Sequence, residues 1–148
     1  MSLPISFIEI DVISHATEDE NKVFSAIKKI ITEQVFQEAN IKKSKLDGHY
    51  GNPITYLSIR VYKKSLIKKI IENLLSDINI QDRELLLSNF DNRVDDEGNF
   101  FIRFDKQAAY LGELNLCETD PIRLKIKLTI PRKQREQIIE ALKQIFKS

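Results

Sequence analysis

At 148 residues, 42% hydrophobic and 30% charged, the chain has apolar material for one packed domain and falls outside disordered and collagen-like compositions. Its single cysteine, Cys117, excludes an intramolecular disulfide and a thiolate zinc site, and suits a reducing compartment. The net charge of +1 points to no partner, but it is distributed in blocks: residues 1–20 hold five acids and no bases, residues 21–71 eleven bases and three acids, residues 72–120 four bases and twelve acids, and residues 121–148 eight bases and two acids.

Residues 4–14 alternate Ile8, Ile10 and Val12 with Phe7, Glu9 and Asp11, the period of two of a strand with one buried face. Thr17 with Glu20 three residues on reads as a capping box, and Val23, Phe24, Ile27, Ile30 and Ile31 follow at helical spacing. Residues 41–46 form a lysine-rich strand with Lys42, Lys43 and Lys45. The stretch Asp47-Gly48-His49-Tyr50-Gly51-Asn52-Pro53 is a loop dense in turn formers. Residues 54–62 are a second alternating strand, with Leu57, Ile59 and Val61 on one face and Tyr56, Ser58, Arg60 and Tyr62 on the other.

Ser65 is the expected cap of a strong helix lined by Leu66, Ile67, Ile70, Ile71, Leu74, Leu75 and Ile78. A shorter helix is expected over 82–88, a hairpin turn at 95–99, a strand over 100–104 and a short strand over 114–117. Residues 122–130 alternate Ile122, Leu124, Ile126, Leu128 and Ile130 with Arg123, Lys125, Lys127 and Thr129. Pro131 is expected to open a closing helix whose apolar face is Ile138, Ile139, Leu142, Ile145 and Phe146. Strands with such unlike faces, interspersed with helices, predict an α+β fold: a single mostly antiparallel sheet with helices packed on one face, in one domain over 1–148.

The opposite face would present Tyr56, Arg60, Tyr62, Arg103, Arg123, Lys125 and Lys127. Aromatics stack on unpaired bases and cations neutralise phosphate, so this mixture suits single-stranded RNA. A second copy docking there through Phe7, Tyr56 and Tyr62 is the next reading. A solvated face, with Glu9 and Asp11 paired across strands to Lys125 and Lys127, is the third. The lysine runs Lys42-Lys43-Ser44-Lys45 and Lys63-Lys64-Ser65-Leu66-Ile67-Lys68-Lys69 suit phosphate binding, or solubility and protection of a sheet edge. Gly48-His49-Tyr50-Gly51 has the GxxG spacing of KH domains, but here it joins two strands where a KH loop lies between helices. His49, Tyr50 and Asn52 stand as binding candidates on that loop.

No catalytic, metal or cofactor constellation stands out. His15 and His49 fall on separate loops with no nucleophile motif beside them. Asp95-Asp96-Glu97-Gly98 fails as a calcium loop, since with Gly98 at the sixth position the first and twelfth ligands would be Arg93 and Phe104. No apolar run approaches the ~20 residues of a membrane span, and the basic start of a signal peptide is missing, so a cytoplasmic protein is expected.

Four stretches carry a family resemblance: His15-Ala16-Thr17-Glu18-Asp19-Glu20; Gly48-His49-Tyr50-Gly51-Asn52-Pro53-Ile54; Arg103-Phe104-Asp105-Lys106-Gln107-Ala108-Ala109-Tyr110-Leu111-Gly112; and Asp120-Pro121-Ile122 with its basic strand. Over nearly its whole length the chain resembles an archaeal RNA-binding protein family described as a predicted exosome subunit. The resemblance implies a fold similar to that of the ribosomal protein that binds 5S rRNA, a homodimer, and RNA binding without catalysis. The implied partners are RNA, structured or single-stranded, and exosome- or ribosome-related proteins. With the family in view, Lys42, Lys43, Lys45, Arg103 and Lys106 are expected to hold phosphates. Tyr50 and Tyr110 offer stacking or hydrogen bonds, and His49, Asn52 and Gln107 further polar contacts. The competing function is a homodimeric adaptor that touches no nucleic acid.

Overall fold

The computed structural model describes residues 3–47 and 51–147. Its elements in chain order are β1 (Ile5–Ser14), α1 (Glu20–Ile31), α2 (Glu33–Glu38), β2 (Ile41–Asp47), β3 (Pro53–Val61), α3 (Lys64–Asp77), α4 (Ile80–Ser88), α5 (Phe90–Arg93), β4 (Asn99–Phe104), α6 (Lys106–Tyr110), β5 (Ile122–Leu128) and α7 (Arg135–Lys147). The five strands form one sheet in the order β2-β3-β1-β5-β4, and every neighbouring pair is antiparallel. This is the expected α+β fold.

The core lies between that sheet and the helices. Ile8, Ile10 and Val12 of β1, Leu57 and Ile59 of β3, and Leu124 and Ile126 of β5 are at most 2% exposed. They pack with Ile27 and Ile30 of α1, Ile67 and Ile70 of α3, and Ile138 and Leu142 of α7. Phe90, Phe100 and Phe146 close one end, with ring centroids 5.4 to 6.1 Å apart, the separation favoured by offset and edge-on aromatic pairs. Among the described residues the other sheet face carries no helix, so the two-residue alternation of β5 separates a buried row from a half-exposed one.

Local details depart from the sequence expectations. The cap of α1 is Asp19, whose side chain accepts from the Asn21 N–H. Thr17, expected there with Glu20, lies outside the helix, which begins only at Glu20. Helix α3 starts at Lys64 with no side-chain cap, rather than behind Ser65. Pro131 opens a turn, closed by the Gln134 N–H on the Pro131 carbonyl, and α7 begins only at Arg135. Residues 114–117 form isolated bridges to Ile78 and Phe104 instead of a strand. Among the described residues, no helix is long and apolar enough to cross a membrane.

Candidate nucleic-acid interface

Antiparallel register decides which charges share the open face. Glu9 lies between Arg60 and Lys125, and Asp11 between Ser58 and Arg123. Phe101 sits across from Lys125, and Arg103 from Arg123. Lys42 lies beside Ser58 on the same side. Six cations (Lys42, Arg60, Arg103, Arg123, Lys125 and Lys127) thus meet two carboxylates on a face that also carries Phe7, Tyr56, Tyr62 and Phe101. The blockwise charge of the chain is concentrated here because β3 and β5, both from basic blocks, flank the acidic β1.

The two carboxylates order the face. Glu9 Oε1 accepts from Arg60 at 2.6 and 3.0 Å, and Lys125 Nζ stands 3.3 Å from Glu9 Oε2. Asp11 accepts from the Tyr56 hydroxyl at 2.6 Å and from Arg123 at 2.8 Å. Of the cross-strand pairs in the solvated-face reading, Glu9 thus has Lys125, while Asp11 has Arg123 and Phe7 lies across from Lys127. Lys127 instead donates to the Glu97 carbonyl at 2.6 Å. Burial pushes the Asp11 carboxyl up, but the Arg123 and Tyr56 hydrogen bonds outweigh it and hold Asp11 below the ordinary carboxylate value. Burial and the Asp11 carboxylate push the Tyr56 hydroxyl up to about 12. The cations also lie over rings: Arg60 is 4.5 Å from the Phe7 centroid and Arg123 5.0 Å from that of Phe101, within reach of cation–π attraction.

At one end of the sheet the scattered motif stretches converge. The end of β1, the start of β5 and the end of β4 meet there, since Asp11 pairs with Arg123 and Phe104 with Ile122. Lys106 Nζ ties them together, 3.0 Å from Glu18 Oε1, 3.1 Å from Asp120 Oδ2 and 2.7 Å from the Ile13 carbonyl. His15 Nε2 lies 3.1 Å from Asp120 Oδ1. Burial raises the Asp120 carboxyl, but the His15 and Lys106 hydrogen bonds bring it below its usual value. His15, Glu18 and Asp120 offer ligand atoms within 4.8 Å of one another, a spacing open to a metal, yet the Lys106 ammonium already supplies the positive charge among them.

The expected site residues divide by position. Lys42 and Arg103 join the open face, where Arg103 stands 4.0 Å from the Glu118 carboxylate. Lys43 and Lys45 alternate with Lys42 to the helix side of β2, where Lys43 lies 2.6 Å from Glu20 and 5.0 Å from the Phe24 ring centroid. Asn52 is exposed just before β3, while His49 and Tyr50 lie outside the described residues. Lys106 is only 11% exposed and engaged as above. Gln107 is exposed, and Tyr110, 39% exposed, stacks under Lys22 at 5.4 Å rather than entering the core. Phe101 is a face residue beyond those expected from the sequence, although its place between Phe100 and Ile102 in an alternating strand points it outward. No spacing signal brings Ile13 to Asp120 and Pro121, more than a hundred residues away.

Fold and surface together define a one-sheet α+β domain with an open, basic and aromatic face. A family model described as RNA binding matches residues 7–128, and the chain belongs to that RNA-binding family. It is 33% identical over 139 residues to the RNA-binding protein PAB1135 of Pyrococcus abyssi, covering 93% of this chain and 90% of that one. It is 34% identical over 142 residues to the uncharacterized protein MJ0213 of Methanocaldococcus jannaschii, covering 92% and 94%. Among solved structures it is similar to AF2318 from Archaeglobus fulgidus, with TM-score 0.83, 39% identity and coverage of 95% and 99%. It is also similar to Mth689 from Methanothermobacter thermautotrophicus, with TM-score 0.77, 29% identity and coverage of 96% and 98%.

Proposed function

We propose that this protein is a non-catalytic RNA-binding protein that holds an unpaired RNA segment against its open sheet face. The observation that carries the reading is the mixture that the five strands present on that face, six cations against two carboxylates with four aromatic rings between them. Cations release counterions from phosphate, and surface rings, of which Tyr62 is the most exposed here, stack on bases that a duplex would hide. The name of the Pyrococcus abyssi relative supports the same reading. Lys42 and Arg103 hold phosphates on the face, Lys43 and Lys45 extend the contact around the β2 edge, and Asn52, Gln107 and Tyr110 contribute polar and stacking contacts at the motif-bearing end. Lys106 acts indirectly, by fixing the loops around it. The family resemblance supplies the setting: a cytoplasmic homodimer accessory to RNA processing or degradation, in contact with exosome- or ribosome-related proteins.

Fluorescence anisotropy with labelled single-stranded RNA across a salt series tests this. Wild-type binding weakens steeply with salt, and Lys42→Ala with Arg103→Ala flattens the log–log slope by about 0.7 for each phosphate no longer neutralised. An unchanged slope in the double variant removes these residues from the interface. The rival occupant of the face is a second copy, favoured by the exposure of Tyr62 at 57% and Leu46 at 50%. Sedimentation velocity separates the two: RNA competes with self-association if both use this face.

A further inference from the structure

We propose that a cavity at the motif-bearing end of the open face receives one unstacked guanine of the bound RNA. The inference rests on the RNA-binding reading above and adds the base that the site selects. The cavity, about 300 Å³, has Ile13, Pro121 and Tyr56 as its apolar lining and Asp11, Asp120 and Arg123 as its charged groups. That volume lies at the lower end of small-ligand pockets, suited to a single heterocycle. Tyr56 and Arg123 also belong to the cationic, aromatic face, so a strand lying on that face passes the mouth of the cavity.

The charges argue for a base rather than a phosphate. Two of the three charged groups lining the cavity are carboxylates, which accept hydrogen bonds and have none to give phosphate oxygens. Both are kept ionised by their partners, Asp11 by Arg123 and Tyr56, Asp120 by His15 and Lys106, and an ionised carboxylate only accepts hydrogen bonds. Asp120 and Arg123 keep 45% and 38% of their side chains exposed, so both remain accessible to a ligand. Asp120 also holds a left-handed backbone, φ 45°, a sparsely populated state for a residue other than glycine.

Guanine presents two adjacent donors, N1–H and the N2 amine, with the O6 acceptor beside them. A carboxylate takes the donors and a guanidinium N–H the acceptor. Uracil places acceptors on both sides of its single donor. Adenine and cytosine place a ring acceptor next to their amine. Each of these sets lone pairs against the carboxylate oxygens, so guanine is the base that fits this arrangement.

The test uses the full chain and short uridine-rich RNAs carrying one guanine, one inosine in its place, or neither, measured by anisotropy at fixed salt. Guanine is expected to tighten binding about tenfold over uridine alone, and inosine, which lacks the N2 amine, to forfeit most of that gain. Asp120→Asn is expected to abolish the guanine preference while leaving salt-dependent binding. Equal wild-type affinity for all three RNAs, with a steep salt slope, overturns the guanine receptor and leaves RNA binding intact. No binding to any of them at low salt overturns both. If Asp120→Asn fails to fold, the guanine-to-inosine comparison decides alone, since it changes only the RNA.

Discussion

Asp11 is the residue on which the open face turns. It is 5% exposed on the central strand, and a carboxylate so placed is tolerated only because Tyr56 and Arg123 satisfy it. Tyr56→Phe removes one of these donors without emptying space, and should destabilise the fold by about 1.5–3 kcal/mol, the range for hydrogen bonds to charged groups, as read by urea unfolding at neutral pH. The pH dependence follows from contacts of this kind. Asp11, held by Arg123 and Tyr56, Asp77, held by the Lys29 ammonium at 2.6 Å, and Asp120, held by His15 and Lys106, all lie below the ordinary carboxylate value. Their stabilisation is therefore fully present above the unfolded value and lost as pH falls through the folded values, so unfolding free energy should drop progressively below about pH 5. The Asp11→Asn variant should be less stable at neutral pH and show a shallower acid limb. Such pairs were only partly legible in the sequence. Alternation places Glu9 and Asp11 on one face, but which cation lies across from each depends on strand register, which set Arg123 opposite Asp11.

At the scale of elements, two backbone positions carry testable costs. Thr32 separates α1 from α2 with φ 81° and ψ 156°, a region essentially reserved for glycine. Its hydroxyl accepts from the Val35 N–H at 3.3 Å, but replacing a capping threonine with glycine costs only a few tenths of a kcal/mol. Thr32→Gly should therefore stabilise the protein by about 1 kcal/mol, visible as a higher urea midpoint; a lower midpoint would mean the cap outweighs the strain. Gly98 in the turn before β4 has φ 79°, and an added Cβ would meet Ile138 Cδ1 at 3.1 Å. Gly98→Ala should destabilise by about 1 kcal/mol or more in the same assay. The helices themselves were readable from their apolar spacing. Their ends were not: α1 is capped by Asp19 where Thr17 was expected, and a turn closed by the Gln134 N–H on the Pro131 carbonyl delays α7 to Arg135, both being local hydrogen-bonding choices that apolar spacing does not record.

At the scale of the whole molecule, the exposed edge strand β2 is a region of charge with little structural duty. Lys42→Glu with Lys45→Glu should leave the melting temperature within the small range of surface substitutions, about 0.5 kcal/mol in stability, while weakening RNA binding and its salt dependence, measured by thermal melts and anisotropy together. Loss of folding in that variant would assign these lysines to structure instead. By itself, the sequence determined the α+β class, the buried rows of β1, β3, β4 and β5 and the apolar face of each main helix, because these depend on periodicities of two and 3.6 residues that are local to each segment. Tertiary structure alone decided that β1 lies between β3 and β5, with acidic residues flanked by basic strands, and that Ile13, Lys106 and Asp120 meet at one end of the sheet. The physical reason is that pairing between strands distant in the chain is selected by the fit of whole faces against one core, and no local pattern records which strand a given face will meet.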